Sequence, residues 1–174
     1  IRLMYMYPEG IYPELLETIA QSRKVLRYFD MPIQHVADSL LKRMGRRTTR
    51  GEVTAKIARI RGLMPDAILR TSLIVGFPGE TAEEFEELLE FLQETKLDKV
   101  GVFTYSREEG TPAYRMKDQI SQGLKNQRRA SLMLLQQGIS LEKNQAKIGR
   151  TYEVVVEGRE EEFFTGRNFE MAPE

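Results

Sequence analysis

Short apolar runs alternate with amphipathic, helix-period segments from the first residue onward, and no other feature constrains the fold as tightly. Residues 1–7, 25–33, 68–75 and 99–105 are rich in Ile, Val, Leu, Phe and Tyr, the composition of strands buried on both faces. Between them, Pro13 suits the first position of a helix running through residues 14–23, with Leu15, Leu16 and Ile19 on one side. Val53, Ile57, Ile60 and Met64 recur at helical spacing. Phe85, Leu88, Leu89 and Leu92 form the cleanest stripe, behind Thr81 and Glu84 in capping-box spacing. This rhythm predicts βαβ units, a parallel sheet and right-handed crossovers. Four strands do not close a barrel, so the pattern fits an open α/β sheet or an incomplete barrel. In both, ligand chemistry belongs at the carboxyl ends of the strands.

After Pro112 the rhythm breaks. Residues 121–147 predict one long helix, with Leu124, Leu132, Leu135 and Ile139 inward, charge outward and Gly149 as its stop. Residues 151–158 and 162–167 predict two consecutive strands. A lone hairpin of that size is marginal in water, so it docks on the rest or opens a small β-domain. The N-terminus has no initiator Met and no signal features, and reads as a strand interior from a longer, trimmed chain. No apolar run approaches the roughly 20 residues that cross a bilayer.

Composition excludes several chemistries. Lys and Arg number 26 and Asp and Glu 26, so there is no bulk electrostatic case for a dedicated nucleic-acid binder. The chain has no cysteine and one histidine. Disulfides, thiolate zinc, a Cys nucleophile, a cysteine-held iron–sulfur cluster and an all-histidine metal cage are therefore impossible within these residues.

Four constellations lie at or near the expected strand ends. Met31-Pro32-Ile33-Gln34-His35, with Asp38 beyond, offers an amide and an imidazole that either satisfy the backbone at a strand–helix turn or contact a ligand. Ile74-Val75-Gly76-Phe77-Pro78-Gly79-Glu80-Thr81 combines glycines with a helix start, but it is not the dinucleotide fingerprint. Ser72 shares the Ile74 and Gly76 face by strand alternation. Phe103-Thr104-Tyr105-Ser106 opens into a charged loop ending Gly110-Thr111-Pro112-Ala113. Lys42, Arg43, Arg46, Arg47 and Arg50 form a basic run that is either a solvated face or a phosphate contact. The glutamates 83, 84, 86, 87, 90 and 94 read as the solvated face of their helix.

Taken in order, Met31-Pro32-Ile33-Gln34-His35-x-x-Asp38, Leu41-x-x-Met44-x-Arg46-Arg47-Thr48-Thr49-Arg50, Arg70-Thr71-x-x-Ile74-Val75-Gly76-Phe77-Pro78-Gly79-Glu80-Thr81 and Tyr105-Ser106-x-Glu108-x-Gly110-Thr111-Pro112-Ala113 resemble the radical S-adenosylmethionine (SAM) methylthiotransferases. Gln34-His35 and the Arg46-Arg47-Thr48-Thr49 run resemble the branch acting on an aspartate of a small-subunit ribosomal protein. The tRNA-modifying branch typically carries serine at the position of His35. A tRNA-modifying enzyme and a non-catalytic binding fragment are the other readings.

The resemblance implies a cytoplasmic enzyme with two 4Fe-4S clusters, whose ligands are absent from this chain. One cluster cleaves SAM to a radical that abstracts substrate hydrogen, and a methylthio group from the other replaces it. It further implies that residues 1–120 are the last four strands of an open (βα)6 barrel, 121–149 a connecting helix and 150–174 the start of a TRAM β-barrel domain, with Gly166-Arg167-x-x-x-x-x-Ala172-Pro173-Glu174 in its early part. Gln34, Ser72, Gly76, Thr104 and Tyr105 are then the expected SAM contacts. His35, Arg46, Arg47 and Arg50 are expected on the side of the ribosomal-protein substrate, with an RNA contact through the arginines. No residue here is expected to bind metal, and the fragment alone is expected to be inactive.

Overall fold

The structure is a computed structural model that describes residues 1–172; Pro173 and Glu174, which end the expected TRAM segment, lie outside the described residues. Helix α1 (Pro13–Gln21) leads to strand β1 (Tyr28–Asp30), α2 (Asp38–Arg43), α3 (Arg50–Leu63), β2 (Ile68–Val75), α4 (Ala82–Thr95), β3 (Lys99–Thr104) and the long α5 (Gln122–Gln145). A hairpin, β4 (Val155–Glu160) and β5 (Phe163–Arg167), follows.

The strands β1, β2 and β3 form a parallel sheet in chain order, with Asp30 opposite Arg70 and Val75 opposite Thr104. The N-terminal segment lies beside β1, through a parallel bridge from Leu3 to Phe29 and a 2.8 Å hydrogen bond from Met6 N to Asp30 O. The expected first strand is thus reduced to a bridge, and β1 is shorter than residues 25–33. Spatial order equal to chain order is the arrangement of a barrel wall, because each right-handed crossover returns its helix to the same side.

One contiguous core fills that side. Phe29, Leu69, Leu73, Val75 and Val102 of the sheet meet Leu16, Ile60, Phe91, Leu92, Leu132 and Ile139 of the helices. β1 is buried on both faces, as expected, but most of β2 and β3 is buried on this face alone, which corrects the expectation there. Along β2, Leu69, Thr71, Leu73 and Val75 are buried whereas Arg70, Ser72 and Ile74 are half-buried, and Phe103 of β3 is exposed. The period-2 alternation decides this, with apolar weight on one parity facing the helices.

Helix α4 starts where its sequence directs. The Thr81 side chain accepts from Glu84 N at 3.1 Å and the Glu84 carboxylate accepts from Thr81 N at 3.0 Å, the reciprocal capping box. Glu84 is buried, not solvated as expected, since it also accepts from Arg43 (2.6 Å) and from the Ser39 hydroxyl. Burial opposes ionisation of Glu84, but the hydrogen bonds from Arg43, Ser39 and the Thr81 backbone outweigh it and hold the carboxyl below its ordinary value of 4.5. A depressed carboxyl contributes stability above the unfolded-state value and loses it as pH falls through the folded-state value. We therefore expect an acid unfolding limb below about pH 4.5, flattened in Glu84→Gln, in circular-dichroism titrations.

Helix α5 departs furthest from expectation. Leu132 and Ile139 are buried and Leu135 packs on the core, but Leu124 is exposed, while Lys125, Arg128 and Gln136 are buried. Each of these polar groups reaches a main-chain oxygen: Lys125 Nζ donates to Tyr105 O (2.9 Å), Arg128 Nη1 to Glu80 O (3.1 Å) and Gln136 Nε2 to Leu97 O (3.1 Å). With Arg129 Nε donating to Val102 O at 3.1 Å, α5 ties itself to β3 at the end of the sheet, where strand groups would otherwise lack partners. The hairpin β4–β5 is antiparallel, starts four residues later than expected and is held by Arg2 Nη2 to Phe169 O (3.1 Å) and a Lys147–Glu170 ion pair.

Candidate functional site

The carboxyl ends of β1, β2 and β3 converge on a cavity of about 500 Å³, within the size range of small-ligand sites. Its apolar wall comprises Ile74, Phe77, Phe103 and Tyr105, and its polar groups are Gln34, Arg46, Thr104 and Ser106. Phe77 and Tyr105 pack edge to face, with centroids 5.3 Å apart. The backbone supports this convergence. Gln34 N donates to Ser72 O (3.0 Å) and Ile74 N to Gln34 O (2.8 Å), which fastens the loop after β1 to β2. Gln34 adopts φ 69°, a left-handed conformation uncommon outside glycine. Surrounding contacts must hold such a residue, and these outliers concentrate at ligand sites.

The cavity unites four of the expected residues: Gln34, Thr104, Tyr105 and Arg46. Arg46 is half-buried, stacked over the Tyr7 ring at 5.4 Å and donating to Pro32 O at 3.4 Å. Ser72 lies two residues back along β2, outside the lining, and contributes its carbonyl to Gln34. Gly76 also lies outside the lining. Its backbone (φ 75°) approaches Lys125, whose side chain occupies the space a Cβ would need, and its N–H donates to the Glu80 carboxylate. The glycine thus admits a lysine of α5, not a ligand.

The basic run divides. Arg43 is bound to Glu84 and to Gly79 O, and Arg50 pairs with Glu94 (3.3 Å) and Glu87 (3.9 Å). Arg47 is exposed and faces a separate hollow shared with Lys56 and Arg59. A substrate-side role for the run therefore narrows, at the cavity, to Arg46. His35 lies outside the cavity lining. Its ring is fully buried, its Nδ1 accepts from Ala37 N at 3.1 Å, and its Nε2 faces Glu80 Oε1 at 3.7 Å, the backbone-satisfying alternative of the two the motif offered. A larger hollow, about 860 Å³, lies between residues 2–5 and the hairpin and contains none of the expected residues.

Met44, Ile74, Phe77, Phe103 and Ser106 line the cavity without having been expected as contacts. Strand alternation carried a signal for Ile74 and Phe103, which share parity with Ser72 and Tyr105. Helical spacing carried a signal for Lys125 and Arg128, seven and four residues before the inward Leu132, but their charge set them among the outward residues. Burial pushes the Lys125 ammonium below its ordinary range; its acceptor Tyr105 O is neutral, and the Tyr105 ring lies 4.9 Å from Nζ.

SAM fits this donor set. The aromatic wall suits an adenine, the amide and hydroxyls suit ribose, Arg46 suits a carboxylate, and the buried Tyr105 hydroxyl has no partner among the described residues. An iron–sulfur cluster does not fit, because the chain has no cysteine and the described residues hold no metal-ligating group of three. No helix among the described residues is long and apolar enough to cross a membrane.

The radical SAM superfamily pattern matches residues 1–92, and the chain belongs to that superfamily. Over all 174 residues it is 54% identical to the ribosomal protein uS12 methylthiotransferase RimO of Clostridium botulinum. It is 53% identical to the same-named protein of Clostridium perfringens. The chain spans 39% of the length of each. Coproporphyrinogen III oxidase (HemN) from Escherichia coli, described as a radical SAM enzyme, superposes on 80% of this chain and 31% of its own, with TM-score 0.59 and 20% identity, a likeness of fold.

Proposed function

We propose that this chain is the SAM-binding and substrate-facing part of a cytoplasmic methylthiotransferase that modifies an aspartate of ribosomal protein uS12. The supporting observation is the 54% identity over the full chain to a RimO protein, combined with a strand-end cavity whose groups suit SAM. In this reading residues 1–120 belong to the barrel, 121–149 connect, and 150–174 begin a TRAM domain.

Bound SAM supplies the radical chemistry together with clusters held elsewhere in the parent protein. This chain's residues do the positioning. Phe77, Phe103 and Tyr105 give an apolar wall that excludes water from one face of the ligand. Gln34 and Thr104 present hydrogen-bonding groups from adjacent strand ends. Arg46 places a guanidinium where either the ligand's carboxylate or the substrate aspartate can pair with it. Arg47, exposed nearby, is the remaining candidate for an RNA contact.

Equilibrium dialysis of SAM against the chain and its Gln34→Ala/Tyr105→Ala variant tests the site. We expect affinity to fall by about 30- to 1000-fold, as two contacts of about 1–2 kcal/mol are lost; unchanged affinity would remove the assignment. After anaerobic reconstitution with iron and sulfide the chain alone is expected to form no deoxyadenosine. In a full-length relative carrying the equivalent of Arg46→Ala, uS12 methylthiolation is expected to drop. A mass gain on tRNA and not on uS12 overturns the substrate reading.

A further inference from the structure

His35, Glu80 and Arg128 form a buried polar cluster just beneath the cavity, and each comes from a different part of the chain. Glu80 sits between β2 and α4, His35 in the loop after β1, and Arg128 in the second turn of α5. The Glu80 side chain is 0% exposed, that of His35 0% and that of Arg128 7%. One Glu80 oxygen accepts from Gly76 N and lies 3.2 Å from Arg128 Nη1. The other lies 3.7 Å from His35 Nε2, beyond hydrogen-bond distance, and neither of these facing atoms has a hydrogen-bond partner among the described residues. Arg128 also donates to Glu80 O (3.1 Å) and Thr81 O (3.3 Å).

The imidazole is oriented from its far side. Nδ1 accepts from Ala37 N, so the ring proton resides on Nε2 and points at the carboxylate. A charge buried this deeply persists only with its counter-charge and hydrogen bonds in place, and Glu80 meets that condition by joining three segments at once. Directly before His35 stands Gln34, held at φ 69° with its carbonyl and N–H on β2.

We propose that His35, Glu80 and Arg128 are positioning residues, a clasp across the ends of β1, β2 and α5 that holds Gln34 in its left-handed conformation at the cavity. Its effect on SAM rests on the reading above; its effect on the backbone does not. The clasp acts by removing alternatives. With Glu80 neutralised, Arg128 still has two main-chain oxygens, but the His35 loop keeps only its bonds to β2, and Gln34 is freer to relax toward extended backbone.

Amide hydrogen exchange on Glu80→Gln reads this directly. The amides of Gln34 and Ile74, which form the loop-to-β2 bonds, are expected to exchange about tenfold faster or more, while those of Phe91 and Leu92 in α4 keep their rates. A uniform acceleration, or no change at Gln34 and Ile74, overturns the clasp. His35→Gln, whose amide can still donate to Glu80, is expected to retain protection at Gln34, and His35→Leu to lose it; equal behaviour of the two overturns the imidazole's part. Should a variant fail to fold, the unsubstituted chain still decides. Its ¹⁵N spectrum must show His35 protonated at Nε2 and not at Nδ1, and the opposite tautomer sinks the proposal. SAM affinity of Glu80→Gln is expected to fall about tenfold. If the unsubstituted chain binds no SAM while the exchange pattern holds, the ligand assignment fails and the clasp stands.

Discussion

Gly76→Ala is expected to destabilise the chain by about 2–5 kcal/mol, from two independent causes. The first is backbone: φ at Gly76 is 75°, in the left-handed region, where a Cβ costs roughly 1–2 kcal/mol. The second is space. An added Cβ would fall inside contact distance of Lys125 Cγ, 3.0 Å from its Cδ and 3.2 Å from its Cβ. Lys125 cannot readily swing clear, since it is buried and its Nζ is bound to Tyr105 O at 2.9 Å. Overpacking of this kind costs about 1–3 kcal/mol. For a chain of this size each kcal/mol moves Tm by about 2–4 °C, so thermal melts should drop by roughly 4–20 °C. Gly79→Ala is the control: φ is 76° there too, but no atom lies nearer than 3.9 Å, so the backbone cost stands alone. Equal losses at the two glycines would show that the Lys125 approach carries no weight.

Glu80→Leu is expected to cost about 3–5 kcal/mol, because it leaves the Arg128 guanidinium buried without its counter-charge. The carboxylate is fully enclosed and Arg128 nearly so, which keeps water from replacing the lost partner. Glu80→Leu/Arg128→Met is expected to recover more than half of the loss, since it removes the uncompensated charge along with the pair. Recovery stays incomplete because Gly76 N loses its acceptor, worth about 1–3 kcal/mol when a buried donor is left unmet. Urea unfolding of wild type, the two singles and the double closes the cycle. Simple additivity of the single losses would mean that the two groups are not coupled.

Much of the fold was legible because its causes are local. Thr81 and Glu84, three residues apart, write the start of α4 regardless of what lies beyond. The apolar run 68–75 became β2 with both ends where the pattern placed them. The short β1 was less legible, because its ends are set by pairing with β2 far along the chain, and α2 was too short to show a periodicity. At the site, Gln34, Thr104, Tyr105 and Arg46 were readable as strand-end residues and do share one cavity. Ser72 and Gly76, readable by the same logic, support that cavity from behind.

Sequence alone determined the parallel α/β order, the capped helix α4, the resemblance to radical SAM methylthiotransferases and the impossibility of a thiolate-held cluster within these residues. Those follow from residue identity and from periods of two and 3.6, which are short-range properties. Only the tertiary structure decided which charges are free and which are committed. Arg46 and Arg50 are the same residue type four positions apart, yet one faces the cavity and the other is held by Glu94 of α4. The one histidine, which the motif left between a backbone partner and a ligand contact, is enclosed against Glu80 with Ala37 N on its other nitrogen. The partners of a charged side chain come from segments distant in sequence, and the desolvation that fixes their consequences exists only once those segments pack.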